Sequence, residues 1–242
     1  MTTGRFYIVG LGPGDPELMT VKATRIIAGV PVIAFFAKRG RTGHARGIVQ
    51  GWISSEAEEL RLEYPFTTEV EVGHPRYLAE MGTFYEACAL RLTARLSSGQ
   101  DVALLCEGDP FLYGSAMYLF DRLELKFPAE IVPGVSGMSG CWSAARTPIA
   151  HGDDVLCVLP GTLDEAALTQ RLRLCDAAVI MKVGRNLPKI RRALEEDGVL
   201  DRAVYVERGT MNGESMIPLA DRGDVPAPYF SMVLIPGRQR VR

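Results

Sequence analysis

Histidine is scarce in this sequence. His44, His74 and His151 stand too far apart along 242 residues to form an HxH or HxxxH pair. A structural zinc site is therefore not expected, and no metal is assigned. Cysteine gives no framework either. Cys88, Cys106, Cys141, Cys157 and Cys175 are an odd number, widely spaced, with no CxxC among them. That pattern excludes a disulfide scaffold and reads as reduced thiols of a cytoplasmic protein. Cys106 and Cys157 sit inside apolar runs and are expected to be buried. No run reaches the ~18 apolar residues of a membrane helix, so no membrane partner is expected. The first residues show no signal-peptide pattern. An excess of one charge is also missing: 27 Lys and Arg against 29 Asp and Glu leave a net charge of −2. A basic nucleic-acid-binding domain would carry a positive excess.

What is present suits a globular chain. The hydrophobic fraction is 47% and the mean hydropathy is +0.07, enough apolar material for a large core and too much for a disordered chain. Strand-like and helix-like segments alternate, which indicates an α/β fold. Strands are expected at residues 5–10, 30–36, 101–106, 130–132, 155–159, 177–181, 203–207 and 229–235. Helices are expected at 17–28, 75–96, 115–125, 134–146, 165–172 and 187–195. The long helix is marked by Leu78, Met81, Tyr85, Cys88, Leu92 and Leu96 at helical spacing and by Gly99 at its end. Two domains are expected, 1–128 and 129–242, divided where Lys126-Phe127-Pro128 interrupts the pattern.

Three glycine-rich loops follow strand-like segments. The first is Gly10-Leu11-Gly12-Pro13-Gly14-Asp15-Pro16. It lacks the Gly-Lys-Ser/Thr of a phosphate loop, and Asp15 stands where a dinucleotide fingerprint needs glycine. A ligand without phosphates fits it, and so does a tight strand-to-helix turn. The second is Glu107-Gly108-Asp109-Pro110-Phe111, where Asp109 is placed either to accept hydrogen bonds from a ligand ammonium or hydroxyl or to cap the turn. The third is Pro133-Gly134-Val135-Ser136-Gly137-Met138-Ser139-Gly140, whose small residues suit close backbone approach or tight helix packing.

These three loops, in this order and at this spacing, resemble those of the tetrapyrrole methylases, and the likeness covers nearly the whole chain. The finer likeness is to the branch that methylates carbon 20 of precorrin-2. It rests on Lys38, on the segment Leu62-Glu63-Tyr64-Pro65-Phe66-Thr67-Thr68, on the run from Glu107 to Ser115, and on Val179-Ile180-Met181-Lys182-Val183-Gly184. Gly137 departs from that branch, which more often has serine there.

The resemblance implies two α/β domains with an S-adenosylmethionine cleft between them, usually in a homodimer. It implies S-adenosylmethionine as methyl donor, no metal cofactor, and a tetrapyrrole, precorrin-2, as acceptor. Cofactor-binding positions carried over from it are Pro13, Gly108, Asp109, Leu112, Ser136, Gly137, Lys182, Gly209 and Thr210. The same methylation of the cobalt-containing intermediate, methylation of another ring carbon, a diphthamide acceptor and a non-catalytic relative are the alternatives. Methyl transfer from a sulfonium needs orientation and water exclusion more than a nucleophile. A base for the proton lost from the methylated carbon is not identified; Asp15, Glu17, Glu107 and Tyr113 are the nearby candidates.

One feature speaks for the acceptor independently. Residues 38–46 carry Lys38, Arg39, Arg41 and Arg46, with His44 and no acid. Arginine forks suit a polycarboxylate, so Lys38, Arg41 and Arg46 are candidate substrate-binding residues; an ordinary solvated loop is the other reading. No aromatics interleave with these cations, as single-stranded nucleic acid would require. Met211, Met216 and Met232 could line an apolar pocket or pack in the core. Trp52 and Trp142 could be core or interface residues, and the Arg-rich end at 238–242 reads as a solvated tail.

Overall fold

The computed structural model describes residues 2–66 and 74–237. Thr67, Thr68 and the Arg-rich end lie outside the described residues. The chain divides into two compact units, Met1–Ser136 and Gly137–Arg242.

The first unit holds β1 (Phe6–Gly10), α1 (Val21–Gly29), β2 (Val32–Lys38), α2 (His44–Ile48), β3 (Glu58–Tyr64), α3 (Pro75–Ser97), β4 (Val102–Cys106), α4 (Ala116–Leu123) and β5 (Ala129–Val132). Its five strands are all parallel, in the order β3-β2-β4-β1-β5. Side chains alternate between two cores, as they must on a sheet covered on both faces. Phe6, Val32, Ala34, Val102 and Leu104 meet α3 and α4 on one face. Val9, Ile33, Phe35, Ala103 and Leu105 meet α1 and α2 on the other.

Helix ends follow the local chemistry. Thr20 Oγ1 accepts from the Ala23 N–H at 3.1 Å and starts α1. The expected helix at 17–28 is therefore two pieces, because Asp15 first caps a short 3-10 turn at Pro16–Leu18. Pro75 opens α3, and Gly99, at φ +85°, ends it. Met81, Tyr85, Cys88, Leu92 and Leu96 are buried as their spacing predicts, but Leu78 is 63% exposed. The apolar face of α3 reaches the sheet only after its first turn.

The second unit holds α5 (Gly137–Ala144), β6 (Leu156–Pro160), α6 (Glu165–Leu172), β7 (Ala177–Met181), α7 (Leu187–Glu196), β8 (Val204–Glu207), β9 (Ser215–Pro218) and β10 (Ser231–Ile235). Its mixed sheet runs β6-β7-β10-β8-β9, with only β6 and β7 parallel. Helices α6 and α7 pack on one face, through Leu168, Leu172, Leu187, Ile190 and Leu194. On the other face α5 contributes Cys141 against Val179, Val206 and Leu234.

Several expectations change. The division falls after Ser136 and not at 128, because β5 adds to the edge of the first sheet by pairing with β1. Strand β2 begins after Pro31, whose ring cannot donate to the ladder. Strands β3 and β9 and the short helix α2 were not anticipated. Cys106 is buried, but Cys157 is only half-buried, since β6 is an edge strand. All five cysteines are free thiols. Met216, Met232 and Trp142 pack around the Cys141 cluster, whereas Trp52 is 37% exposed in the turn after α2.

Candidate functional site

In the first unit β1 leads through α1 to β2 on one side, and β4 leads through α4 to β5 on the other. Helices α1 and α4 lie on opposite faces. The carboxyl ends of β1 and β4 therefore flank the point where the strand order reverses, where open α/β sheets bind ligands. The first two glycine loops both emerge there.

The glycines bring the loops together. The Gly108 N–H donates to the Gly12 carbonyl at 2.8 Å, and the Gly12 N–H returns a 3.4 Å bond to Gly108. A Cβ on Gly10 would stand 2.5 Å from the Gly134 nitrogen. One on Gly134 would overlap the Gly108 carbonyl oxygen and stand 2.9 Å from the Gly10 carbonyl carbon. Loops one, two and three thus touch through bare backbone. Asp109 adds a side-chain link. Its Oδ1 accepts from the Phe111 N–H at 2.9 Å, and its Oδ2 accepts from the Gly134 N–H at 3.2 Å. Of the two roles open to Asp109, the structure shows it holding its own loop and tying it to the third.

Pro13 is half-buried between Gly12 at φ +81° and Gly14 at φ +139°. Leu112 is half-buried and its N–H donates to the Asp109 carbonyl at 3.3 Å. Two of the four candidate bases are committed to backbone. Asp15 Oδ1 accepts from the Glu17 N–H, and Glu107 Oε1 accepts from the Ala45 N–H in α2, both at 2.9 Å. Glu17 is exposed. Tyr113 is exposed and sits at φ +57°, in left-handed backbone that non-glycine residues adopt rarely.

The basic segment is less uniform than its sequence. Lys38 ends β2, and Lys38 and Arg41 are exposed. Arg46 is bidentate to Glu59 on β3, with both bonds at 2.7 Å. That bond holds the Glu59 carboxyl below its ordinary range and raises Arg46. The stretch without an acid receives one from the neighbouring strand. Arg46, Glu59, Arg61, Thr42, Gln50 and Phe35 line a cavity of about 530 Å³. Arg61 also donates to the Arg41 carbonyl.

In the second unit Gly137 opens α5, and a Cβ there would stand 3.0 Å from the Met232 Cε, the end of a flexible side chain. Ser136, the last residue of the first unit, is half-buried. Lys182 follows β7 at φ +56°, exposed, and its carbonyl accepts from Asn186 Nδ2 at 3.1 Å. After β8, Arg208 and Thr210 adopt φ +50° and φ +67° around Gly209. Gly209 is packed so closely on α5 that a Cβ would stand 2.9 Å from the Cys141 Sγ. Its N–H lowers the Cys141 thiol somewhat, but burial dominates and leaves it at about 11. The Thr210 N–H donates to Glu214 Oε2 at 2.9 Å, while Thr210 Oγ1 is buried with no partner among the described residues.

Each unit therefore gathers its own share of the expected positions. Strained backbone at Tyr113, Lys182 and Thr210, and an orphaned hydroxyl at Thr210, are features that ligand sites concentrate. The first loop and the 3-10 turn after it hold Asp15 and Glu17 and no cation, which suits a cationic sulfonium better than a phosphate. Both observations fit S-adenosylmethionine. No group of three His, Cys, Asp or Glu that could hold a metal occurs among the described residues, and none of their helices is long and apolar enough to cross a membrane. Sequence reasoning missed Glu59 and Glu214. The alternation Leu60/Leu62 between charges could have revealed β3 and hence Glu59; no local signal marks Glu214.

The parallel sheet of the first unit and its strand-end loops define an α/β protein of the kind that binds ligands at a topological switch point. The chain matches the model of the tetrapyrrole (corrin/porphyrin) methylases over residues 5–221 and belongs to that family. It is 54% identical to a Sinorhizobium protein named precorrin-2 C(20)-methyltransferase, over 97% of this chain and 96% of that one. It is 30% identical to the cobalt-precorrin-2 C(20)-methyltransferase of Salmonella typhimurium, over 96% of each. Among solved structures, a cobalt precorrin-4 methyltransferase superposes with a TM-score of 0.70 at 22% identity, covering 96% of this chain and 94% of that one. A Thermus thermophilus uroporphyrin-III C-methyltransferase complexed with S-adenosylhomocysteine gives 0.66 at 22% identity, covering 96% and 92%. At those identities the two structures speak for the fold.

Proposed function

We propose that this protein transfers a methyl group from S-adenosylmethionine to carbon 20 of precorrin-2, in cobalamin biosynthesis. The observation that carries the reading is the 54% identity, end to end, to the Sinorhizobium protein of that name. Pro13, Gly108, Asp109, Leu112, Ser136, Gly137, Lys182, Gly209 and Thr210 are the proposed cofactor-binding residues. Lys38 and Arg41 are proposed to meet acceptor carboxylates, and Arg46 to act through its pair with Glu59. The same reading carries a cytoplasmic homodimer.

S-adenosylmethionine supplies a methyl group already activated on a sulfonium, so the chain's own work is orientation and exclusion of water. The stitched loops at Gly10, Gly108 and Gly134 give an approach surface of backbone, without side chains to obstruct a ligand. Asp109 fixes the shape of that surface through two backbone bonds. Thr210 offers a hydroxyl with unused hydrogen-bonding capacity. Asp15 and Glu107 are held as backbone caps, which leaves Glu17, Tyr113, water or a backbone carbonyl to accept the proton lost from carbon 20.

The test is transfer from labelled S-adenosylmethionine to metal-free precorrin-2 and to its cobalt form, side by side, with mass and NMR readout. One new methyl at carbon 20 of the metal-free substrate is the expected result. Turnover on the cobalt form alone would move the protein toward the Salmonella-type activity, which the 30% identity supports less. No transfer to either, with the donor still bound, would refute the acceptor. Light scattering on the purified protein tests the homodimer.

A further inference from the structure

The connection from β8 to β9 spans residues 208–214 and bends through left-handed backbone three times, at Arg208, Thr210 and Gly213. Glycine adopts that conformation without penalty, but a β-branched threonine is an outlier there and persists only where its surroundings over-determine it. Those surroundings are accountable bond by bond. The Arg208 N–H donates to the Phe230 carbonyl and the Met211 N–H to the Arg208 carbonyl, both at 2.8 Å. The Glu214 N–H donates to the Met211 carbonyl at 3.1 Å. Gly209 is wedged against Cys141 with no room for a side chain. The Thr210 N–H is held by a carboxylate, Glu214 Oε2 at 2.9 Å. Glu214 is exposed, so burial does not fix its rotamer. The residue it holds carries the buried, unsatisfied hydroxyl.

We propose that Glu214 is a positioning residue for the methyl donor: its carboxylate clamps the Thr210 backbone in left-handed geometry and so aims the Thr210 hydroxyl at a polar group of S-adenosylmethionine. This rests on the cofactor reading above and adds to it a residue that no motif of the sequence picks out. A turn-capping glutamate without that role would affect stability alone. The positioning role ties Glu214 to donor affinity through Thr210.

The experiment measures the dissociation constant of S-adenosylhomocysteine by calorimetry, and the KM of the tetrapyrrole at saturating donor, for the full chain and its variants. Glu214→Ala should weaken S-adenosylhomocysteine about tenfold, the scale of one lost charge-assisted hydrogen bond, and leave the tetrapyrrole KM within about twofold. Glu214→Gln should recover most of the affinity, because its amide oxygen accepts from the same N–H. Thr210→Val, which keeps the shape and removes the hydroxyl, should lose a similar factor, and the double variant should lose no more than either single one. Equal binding by Glu214→Ala and wild type would overturn the proposal. So would equal loss in the Ala and Gln variants, or fully additive losses in the double variant. Failure of the wild-type chain to bind S-adenosylhomocysteine at all would instead overturn the cofactor reading, and this inference with it.

Discussion

Gly134→Ala perturbs the contact between the glycine loops directly. Its new methyl group would overlap the Gly108 carbonyl oxygen and stand 2.9 Å from the Gly10 carbonyl carbon and 3.0 Å from the Gly10 Cα. All three are backbone atoms at the ends of paired parallel strands, so no side chain can swing aside. Overpacking costs about 1–3 kcal/mol where side chains can adjust, occasionally more. Here the upper end applies, about 3 kcal/mol or more. For a chain of this size each kcal/mol moves the melting temperature by about 2–4 °C, so a fall of about 6–12 °C is expected. Two other glycines calibrate the result. Gly137→Ala meets only the Met232 Cε, at 3.0 Å, which can rotate away, and should stay within about 1 kcal/mol of wild type. Gly82→Ala, inside α3 with nothing within 4 Å, should gain about 0.5–1 kcal/mol from helix propensity. Scanning calorimetry of the three variants gives the order directly. S-adenosylhomocysteine affinity of Gly134→Ala, measured below its melting point, should fall as the loops part. A Gly134→Ala protein melting within about 2 °C of wild type would refute the claim that these loops touch through bare backbone.

Asp109→Ala leaves the N–H groups of Phe111 and Gly134 without their acceptor, so stability should drop by about 1–3 kcal/mol together with donor affinity; lost affinity at unchanged urea midpoint would place Asp109 against the ligand alone. Arg41→Ala should raise the tetrapyrrole KM and leave stability untouched, whereas Arg46→Ala should lower the urea midpoint because it strips Glu59 of its bidentate partner; steady-state kinetics beside urea melts separate the two, and identical behaviour would refute the distinction. Hydrogen bonds from Arg95, Arg46 and Lys22 hold the carboxyls of Glu58, Glu59 and Glu130 below their ordinary 4.5. A depressed carboxyl stabilises the fold above its unfolded value and loses that contribution as pH falls through its folded value. The melting temperature should therefore stay level above about pH 5 and decline below about pH 4.5, less steeply in Glu59→Gln; an unchanged slope in that variant would count against the Glu59 pair.

Much of the fold was legible because its strands are short apolar runs closed by glycine or polar turns. Residues 101–106 and 177–181 became β4 and β7, and the helical spacing from Met81 to Leu96 became the buried face of α3. What escaped was amphipathic or dictated by distant partners. Strand β3 carries Leu60 and Leu62 on one face and Glu59, Arg61 and Glu63 on the other, as an exposed sheet edge does, and so reads as a polar stretch. Strand β9 is four residues long and exists through its pairing with β8. The division after Ser136 depends on which sheet β5 joins, a choice made by its register with β1 and not by composition.

The candidate site shows the same limit in its chemistry. The sequence presents glycines and acids next to strand ends and leaves open whether they wait for a ligand or for one another. In the first unit they serve one another first: Gly10, Gly108 and Gly134 meet, Asp109 bridges two loops, and Glu107 holds the start of α2. That internal commitment is what a ligand surface requires, because a loop bound to its neighbour has already lost the freedom that binding would otherwise have to remove. The basic segment follows the same logic from the other side. Its charge count treats Lys38, Arg41 and Arg46 as equals, yet Arg46, on α2, forms a bidentate pair with Glu59 of β3. An arginine already bidentate to a carboxylate gains little by exchanging it for another, so in the proposed function the exposed Arg41 is expected to discriminate among acceptor carboxylates, and Arg46 to act by holding α2 against β3.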